Sequence, residues 1–172
     1  MDDPVARLVL GTAQLGMDYG VANRAGKPAP ATADAVLDLA WKEGLACLDT
    51  AQAYGESEAV IGSYLARHPD CSIRVISKLD PALADAGEDD IYAAICSSAD
   101  RLHGRLDAML LHNAAMLARW GMGLGRALRR CRDDGIISTI GISVYTPDEF
   151  RQALTYSDIR LIQAPFNEIG RA

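Results

Sequence analysis

Two spacings of apolar residues alternate along this chain. Short apolar stretches predict strands over residues 8–13, 45–49, 72–78, 106–111, 136–142 and 159–164. Their cores, such as Val75-Ile76, Met109-Leu110-Leu111 and Ile136-Ile137, lack polar alternation, as strands buried on both faces do. Between them run stripes at helical spacing: Ala33, Val36, Leu37 and Ala40; Val60, Ile61, Tyr64 and Leu65; Ile91, Ile95, Ala99 and Leu102. Two more helices are expected over 124–134 and 147–154. Thr32 and Ser57 stand where N-caps belong, and Glu58 suits the positive end of a helix dipole. Gly44 and Gly135 read as stops, and Pro147 as a tolerated first-turn proline. Residues 14–31 form a long loop, and such loops in compact domains are usually functional. Residues 113–123 read as irregular, and the glycine-rich run 121–125, which follows no strand, as a loop.

Strand and helix alternate in repeats of roughly 30 residues, the size of a βαβ unit. That order gives an α/β fold, a parallel sheet with helices packed against it. The 172 residues, taken as 1–172, fit a single domain. An open doubly wound sheet and a (β/α) barrel both satisfy the pattern. The first is disfavoured because Gly11 and Gly16 lack the spacing of a dinucleotide fingerprint.

Composition narrows the function classes. A net charge of −6 argues against general nucleic-acid binding. Arg126, Arg129, Arg130 and Arg132 cluster, as a solvated helix face or as an anion site. No apolar run reaches the roughly 18 residues of a membrane span. The acidic start, Met1 to Pro4, lacks a signal-peptide pattern, so the expected location is the cytoplasm. Cys47, Cys71, Cys96 and Cys131 have neither C-x-x-C nor zinc spacing and read as free thiols, so no metal site is expected.

The candidate chemistry sits at strand ends. Asp49 ends the second strand and Tyr54 lies in the loop beyond it; Lys78 ends the third strand and His112 follows the fourth. In a parallel barrel these positions lie side by side on the C-terminal face, where active sites are built. These residue types suit proton donation to a carbonyl oxygen. A free phenol, with a pKa near 10, is a poor acid at neutral pH. A nearby ammonium lowers that pKa, a carboxylate holds the ammonium, and a histidine orients the substrate oxygen. The hydride has to come from a cofactor.

The chain resembles the aldo-keto reductase superfamily, nicotinamide-dependent carbonyl reductases on a (β/α)₈ barrel. The resemblance rests on Gly11-Thr-Ala-Gln-Leu-Gly16, Leu48-Asp-Thr-Ala-Gln-Ala-Tyr-Gly-Glu-Ser-Glu58, Ile76-Ser-Lys78, Leu110-Leu-His112, the run 135–143 and Gln163-Ala-Pro-Phe-Asn167, in family order. It implies Tyr54 as general acid, Lys78 as its neighbour, Asp49 as partner of Lys78 and His112 as substrate-orienting residue. It further implies NADPH, a small carbonyl substrate, Gly11 and Thr12 on the cofactor side, and Ser143 and Gln163 at the nicotinamide carboxamide. Val144 stands where the family commonly has Asn.

The family barrel has eight units, and this sequence supplies six. By that reading it is an incomplete, truncated TIM-type barrel. It lacks the aromatic of the seventh strand and the basic loop that binds the adenosine phosphates. Three readings stay open: an NADPH-dependent reductase, a non-catalytic partial barrel whose open edges pair with a second copy or another chain, and a shortened gene product.

Overall fold

The computed structural model describes residues 4–20 and 23–166. Its strands are β1 (Val9–Gly11), β2 (Cys47–Asp49), β3 (Arg74–Leu79), β4 (Leu106–Leu111), β5 (Thr139–Ser143) and β6 (Ile159–Gln163). Its helices are α1 (Ala13–Gly16), α2 (Pro30–Lys42), α3 (Ser57–Arg67), α4 (Glu88–Arg101), α5 (Leu124–Asp133) and α6 (Pro147–Ala153). The strands pair in parallel in chain order, with β1 and β6 at the edges. Gly11 lies opposite Asp49, Lys78 opposite Leu110, and Ser143 opposite Gln163. The sheet curls into half a barrel, so the incomplete parallel (β/α) barrel is the architecture.

Side chains alternate across each strand, and the two faces do different work. Leu48, Val75, Leu79, Met109, Leu111, Ile140 and Ile142 face the helices and form one core with Leu37, Ile61, Ile91, Ile95 and Leu128. Each fully buried aliphatic contributes about 2 kcal/mol relative to exposure. The opposite parity carries Asp49, Ile76, Lys78, Leu110, Gly141, Leu161 and Gln163 along the concave face. Gly141 is needed there, because a Cβ would stand 2.7 Å from Leu161 O and 2.9 Å from Leu110 Cγ.

Helix ends explain where the strands begin. At α2, Gly44 takes φ +83, its N–H donates to Trp41 O, and the Leu45 N–H donates to Ala40 O. At α5, Gly135 (φ +74) and Ile136 repeat the arrangement on Arg132 O and Cys131 O. Both are Schellman caps. Leu45, Ile136 and Ile137 therefore finish helices, and β2 and β5 start later than their apolar patterns predict.

Other expectations need correction. Ala29, not Thr32, caps α2, with Pro30 at its first turn. Glu56 occupies the N-cap position of α3, and Ser57 makes no cap bond because its hydroxyl is used elsewhere. The segment 13–16 is a one-turn helix inside the expected loop, and β1 is shorter than the apolar run. Ala114–Met122 is a 3-10 helix, and the run 121–125 crosses from it into α5. Gly125 fits there because a Cβ would meet Trp120 O at 2.7 Å. The start of the chain and Asn167, the end of the last motif, lie outside the described residues.

Candidate active site

The ends of β2, β3 and β4 bring Asp49, Lys78 and His112 together, and the turn after β2 adds Tyr54. Lys78 is buried, and its ammonium donates to both carboxylate oxygens of Asp49 at 2.7 Å and to Thr50 O at 3.1 Å. That ammonium lies 5.0 Å from the centroid of the Tyr54 ring. The Tyr54 and His112 rings meet edge to face with centroids 5.8 Å apart. All four predicted residues share one site.

The turn carrying Tyr54 is fixed from beneath. Ser57 Oγ donates toward Thr12 O at 2.9 Å, lies 3.0 Å from Thr12 Oγ1, and accepts from Thr50 Oγ1 at 2.9 Å. Thr12 Oγ1 donates to Asp49 O at 2.7 Å. Three hydroxyls, all buried, thus tie β1, β2 and the start of α3 into one unit. Two glycines allow the close approach. A Cβ on Gly16 would stand 1.9 Å from Tyr54 O, and one on Gly55, whose φ is +55, would stand 2.6 Å from Gly16 O. The Glu56 N–H closes the contact on Gly16 O at 3.2 Å.

Electrostatics depart from one expectation. Burial, then the Asp49 charge, pushes the Tyr54 phenol up to about 12 rather than down. Lys78 is paired on two sides by Asp49, so the pair presents little net charge to the ring. Tyr54 is accordingly held in its protonated, donor form. Burial and the Lys78 ammonium lower the pKa of His112, favouring the neutral imidazole. Among the described residues, His112 Nδ1 and Asn113 Oδ1 are buried polar atoms without a hydrogen-bond partner.

A cleft of about 390 Å³ opens on this site, lined by Gly11, Thr12, Gln14, Tyr19, Asp49 and Tyr54 among others. Gly11 is open to it, whereas the Thr12 hydroxyl is engaged in the buried unit. Tyr19, whose ring centroid is 6.4 Å from that of Tyr54, comes from the long loop. Asn23 organises that loop, donating to Tyr19 O and Gly26 O and accepting from the Ala25 and Gly26 N–H groups. Sequence reasoning singled out the loop but not Tyr19. Ser143 and Gln163 are cross-strand neighbours at the same rim, and Gln163 Nε2 reaches Asp49 Oδ1 at 3.2 Å. Val144 is buried with its N–H on Gln163 O. The arginine cluster is not an open anion site: Arg126 pairs with Glu88, Arg129 and Arg132 with Asp158, and Arg130 with Asp89. Among the described residues no His, Cys, Asp and Glu group is placed to hold a metal, and no helix is long and apolar enough to cross a membrane.

Fold and site together define a protein of parallel (β/α)-barrel units with four ionisable groups gathered at successive strand ends. The aldo/keto reductase family model matches residues 7–169, and the chain belongs to that family. Among solved structures, it is 25% identical to a candidate aldo-keto reductase of Pseudomonas aeruginosa, with a TM-score of 0.76, covering 95% of this chain and 64% of that one. It is 25% identical to a glycerol dehydrogenase of Gluconobacter oxydans, with a TM-score of 0.68 and 97% and 53% coverage. An aldo-keto reductase of Bacillus halodurans, in its holo form, matches at 22% identity and TM-score 0.71, with 92% and 53% coverage, and shares the fold. The chain therefore spans 53% to 64% of the length of these relatives. No curated protein sequence matches it.

Proposed function

We propose that this chain carries the proton-transfer half of an NADPH-dependent reduction of a small aldehyde or ketone. One observation supports this reading above the others. A lysine buried on a carboxylate stands beside a tyrosine kept in its acid form, with a neutral histidine at the ring edge. Tyr54 donates its proton to the carbonyl oxygen as charge develops there. The phenolate left behind lies beside the Lys78–Asp49 pair, whose ammonium is 5.0 Å from the ring centroid. His112, kept neutral and packed edge to face on the Tyr54 ring, orients the oxygen. A bound nicotinamide cofactor supplies the hydride. Ser143 and Gln163, cross-strand neighbours at the rim, would hold its carboxamide, and Gly11, where a Cβ would meet no atom within 4 Å, would leave room on the cofactor side of the cleft.

The test is Tyr54→Phe in an assay following cofactor oxidation with a panel of small aldehydes and ketones. General-acid loss lowers the rate by about 10²- to 10⁴-fold. An undiminished rate would remove Tyr54 from this role. Calorimetric titration with NADPH checks the cofactor assignment directly, and heat of binding should appear at micromolar to millimolar cofactor.

A second reading, association through the sheet edges, has its own observation. Leu8 and Val9 at β1, and Tyr145 and Phe166 near the ends of β5 and β6, are exposed. Sedimentation of the isolated chain distinguishes it: this reading requires a mass above that of one copy.

A further inference from the structure

Behind β3, on the face opposite Lys78, lies a buried carboxylate that the proposed chemistry does not use. Glu58, in the first turn of α3, is only 3% exposed. Its Oε1 accepts from Ser77 Oγ at 2.6 Å, and its Oε2 accepts from Ser98 Oγ at 3.1 Å and from the Arg101 guanidinium. Ser77 and Ser98 are fully buried. Ser98 Oγ in turn accepts from Gln52 Nε2 at 2.9 Å. Gln52 belongs to the turn between Asp49 and Tyr54. Its own N–H donates to Lys78 O at 3.0 Å, and its Oε1 accepts from the Asp80 N–H at 2.9 Å.

These bonds close a loop around the catalytic pair. Ser77 precedes Lys78 and points the other way, as strand alternation requires. Glu58 therefore holds the end of β3 from the helix side while Asp49 holds Lys78 from the concave side. Through Ser98 and Gln52 the same carboxylate also fixes the turn that presents Tyr54. Burying a carboxylate is unfavourable unless it is paired and hydrogen-bonded, and this one is fully provided for. An apolar residue would fill the space without linking three elements. Gly62 supports the arrangement: a Cβ there would stand 1.9 Å from Arg101 O, so only glycine lets α3 come this close to the end of α4.

We propose that Glu58 is a positioning residue for Lys78 and Tyr54, acting through Ser77 on one and through Ser98 and Gln52 on the other. The inference rests on the assignment of Lys78 and Tyr54 above, but its test does not require turnover. The chain has three lysines, Lys27, Lys42 and Lys78. Competitive amine labelling with trinitrobenzenesulfonate, read by mass spectrometry, gives the reactivity of Lys78 against exposed Lys42 as an internal reference. In the parent, Lys78 is strongly protected. In Glu58→Ala its relative labelling should rise about tenfold, because the end of β3 opens locally. Glu58→Gln keeps an acceptor for Ser77 and should restore most of the protection. Ile95→Val, which loosens the same helix layer without touching the network, should leave the ratio unchanged. Parent-like protection of Lys78 in a folded Glu58→Ala variant would overturn the proposal, and so would an equal rise in Ile95→Val. Should Glu58→Ala fail to fold, Ser77→Ala, which removes one hydroxyl, decides the matter by the same ratio. Absence of Tyr54-dependent reduction in the parent, with the labelling pattern as expected, would count against the reductase reading and leave the positioning intact.

Discussion

Gly16→Ala is a methyl-sized change with a consequence at Tyr54. The added Cβ would stand 1.9 Å from Tyr54 O, 2.3 Å from Ser57 N and 2.8 Å from Ser57 Cβ. Two of these neighbours are backbone atoms, so no side-chain rotation relieves the contact. Ordinary contact begins near 3.4 Å, so α1 and the Tyr54 turn must separate by about 1.5 Å. That separation breaks the Glu56 N–H bond to Gly16 O and pulls Ser57 from Thr12. Overpacking of this kind costs about 1–3 kcal/mol, and the lost buried hydrogen bonds add about 1 kcal/mol each. Urea denaturation followed by tryptophan fluorescence should therefore show a loss of about 3–5 kcal/mol. A displacement of an ångström at a reacting group lowers turnover by about 10²-fold, so reduction should fall further than stability alone explains. A parent-like urea midpoint for Gly16→Ala would refute the claim that this glycine is what lets the Tyr54 turn close on α1.

Two more outcomes follow from the same geometry. Lys78→Met leaves the Asp49 carboxylate, whose side chain is 14% exposed, with the Gln163 amide as its one side-chain hydrogen-bond partner among the described residues, and should cost about 3–5 kcal/mol. The double variant with Asp49→Asn should recover much of that loss, and a coupling near zero in the four-way denaturation cycle would contradict a tight pair. His112 gives a pH signature. Its folded pKa is depressed, so the unfolded chain binds the proton more readily, and stability is full above the ordinary value near 6.5 and is lost as pH falls below it. Denaturation midpoints should drop between about pH 7.5 and pH 5 more in the parent than in His112→Gln, and equal drops would show that His112 does not carry the effect, since a carboxylate held low such as Asp158 acts only at more acid pH.

Alternating runs of apolar spacing fixed the order and kind of nearly every element, because helix and strand periods are local properties of the chain. Strand ends carrying Asp49, Lys78 and His112 were legible for the same reason: parallel topology places successive ends side by side whatever the loops do. Boundaries were less legible. Ile136 is as apolar as any strand residue, yet its N–H closes the cap of α5, a choice made by the geometry of Gly135. Ser57 has the chemistry of an N-cap, but its hydroxyl meets Thr12 and Thr50 across 45 and 7 residues of sequence, contacts that no local pattern encodes.

The charge state of the site was likewise decided by tertiary structure. Residue types alone predict that Lys78 lowers the pKa of Tyr54. Folding buries the phenol and presents both Asp49 oxygens to the ammonium, and burial with an adjacent carboxylate raises it instead. Glu58 shows the same division. In sequence it is an acidic residue suited to a helix start, and in the fold it is a buried acceptor joining α3, β3 and α4. By itself the sequence determined which groups reach the C-terminal rim of the sheet, since that depends on pattern and topology. Packing alone decided how each is solvated, paired and held, since those depend on residues far apart in the chain meeting at a few ångströms.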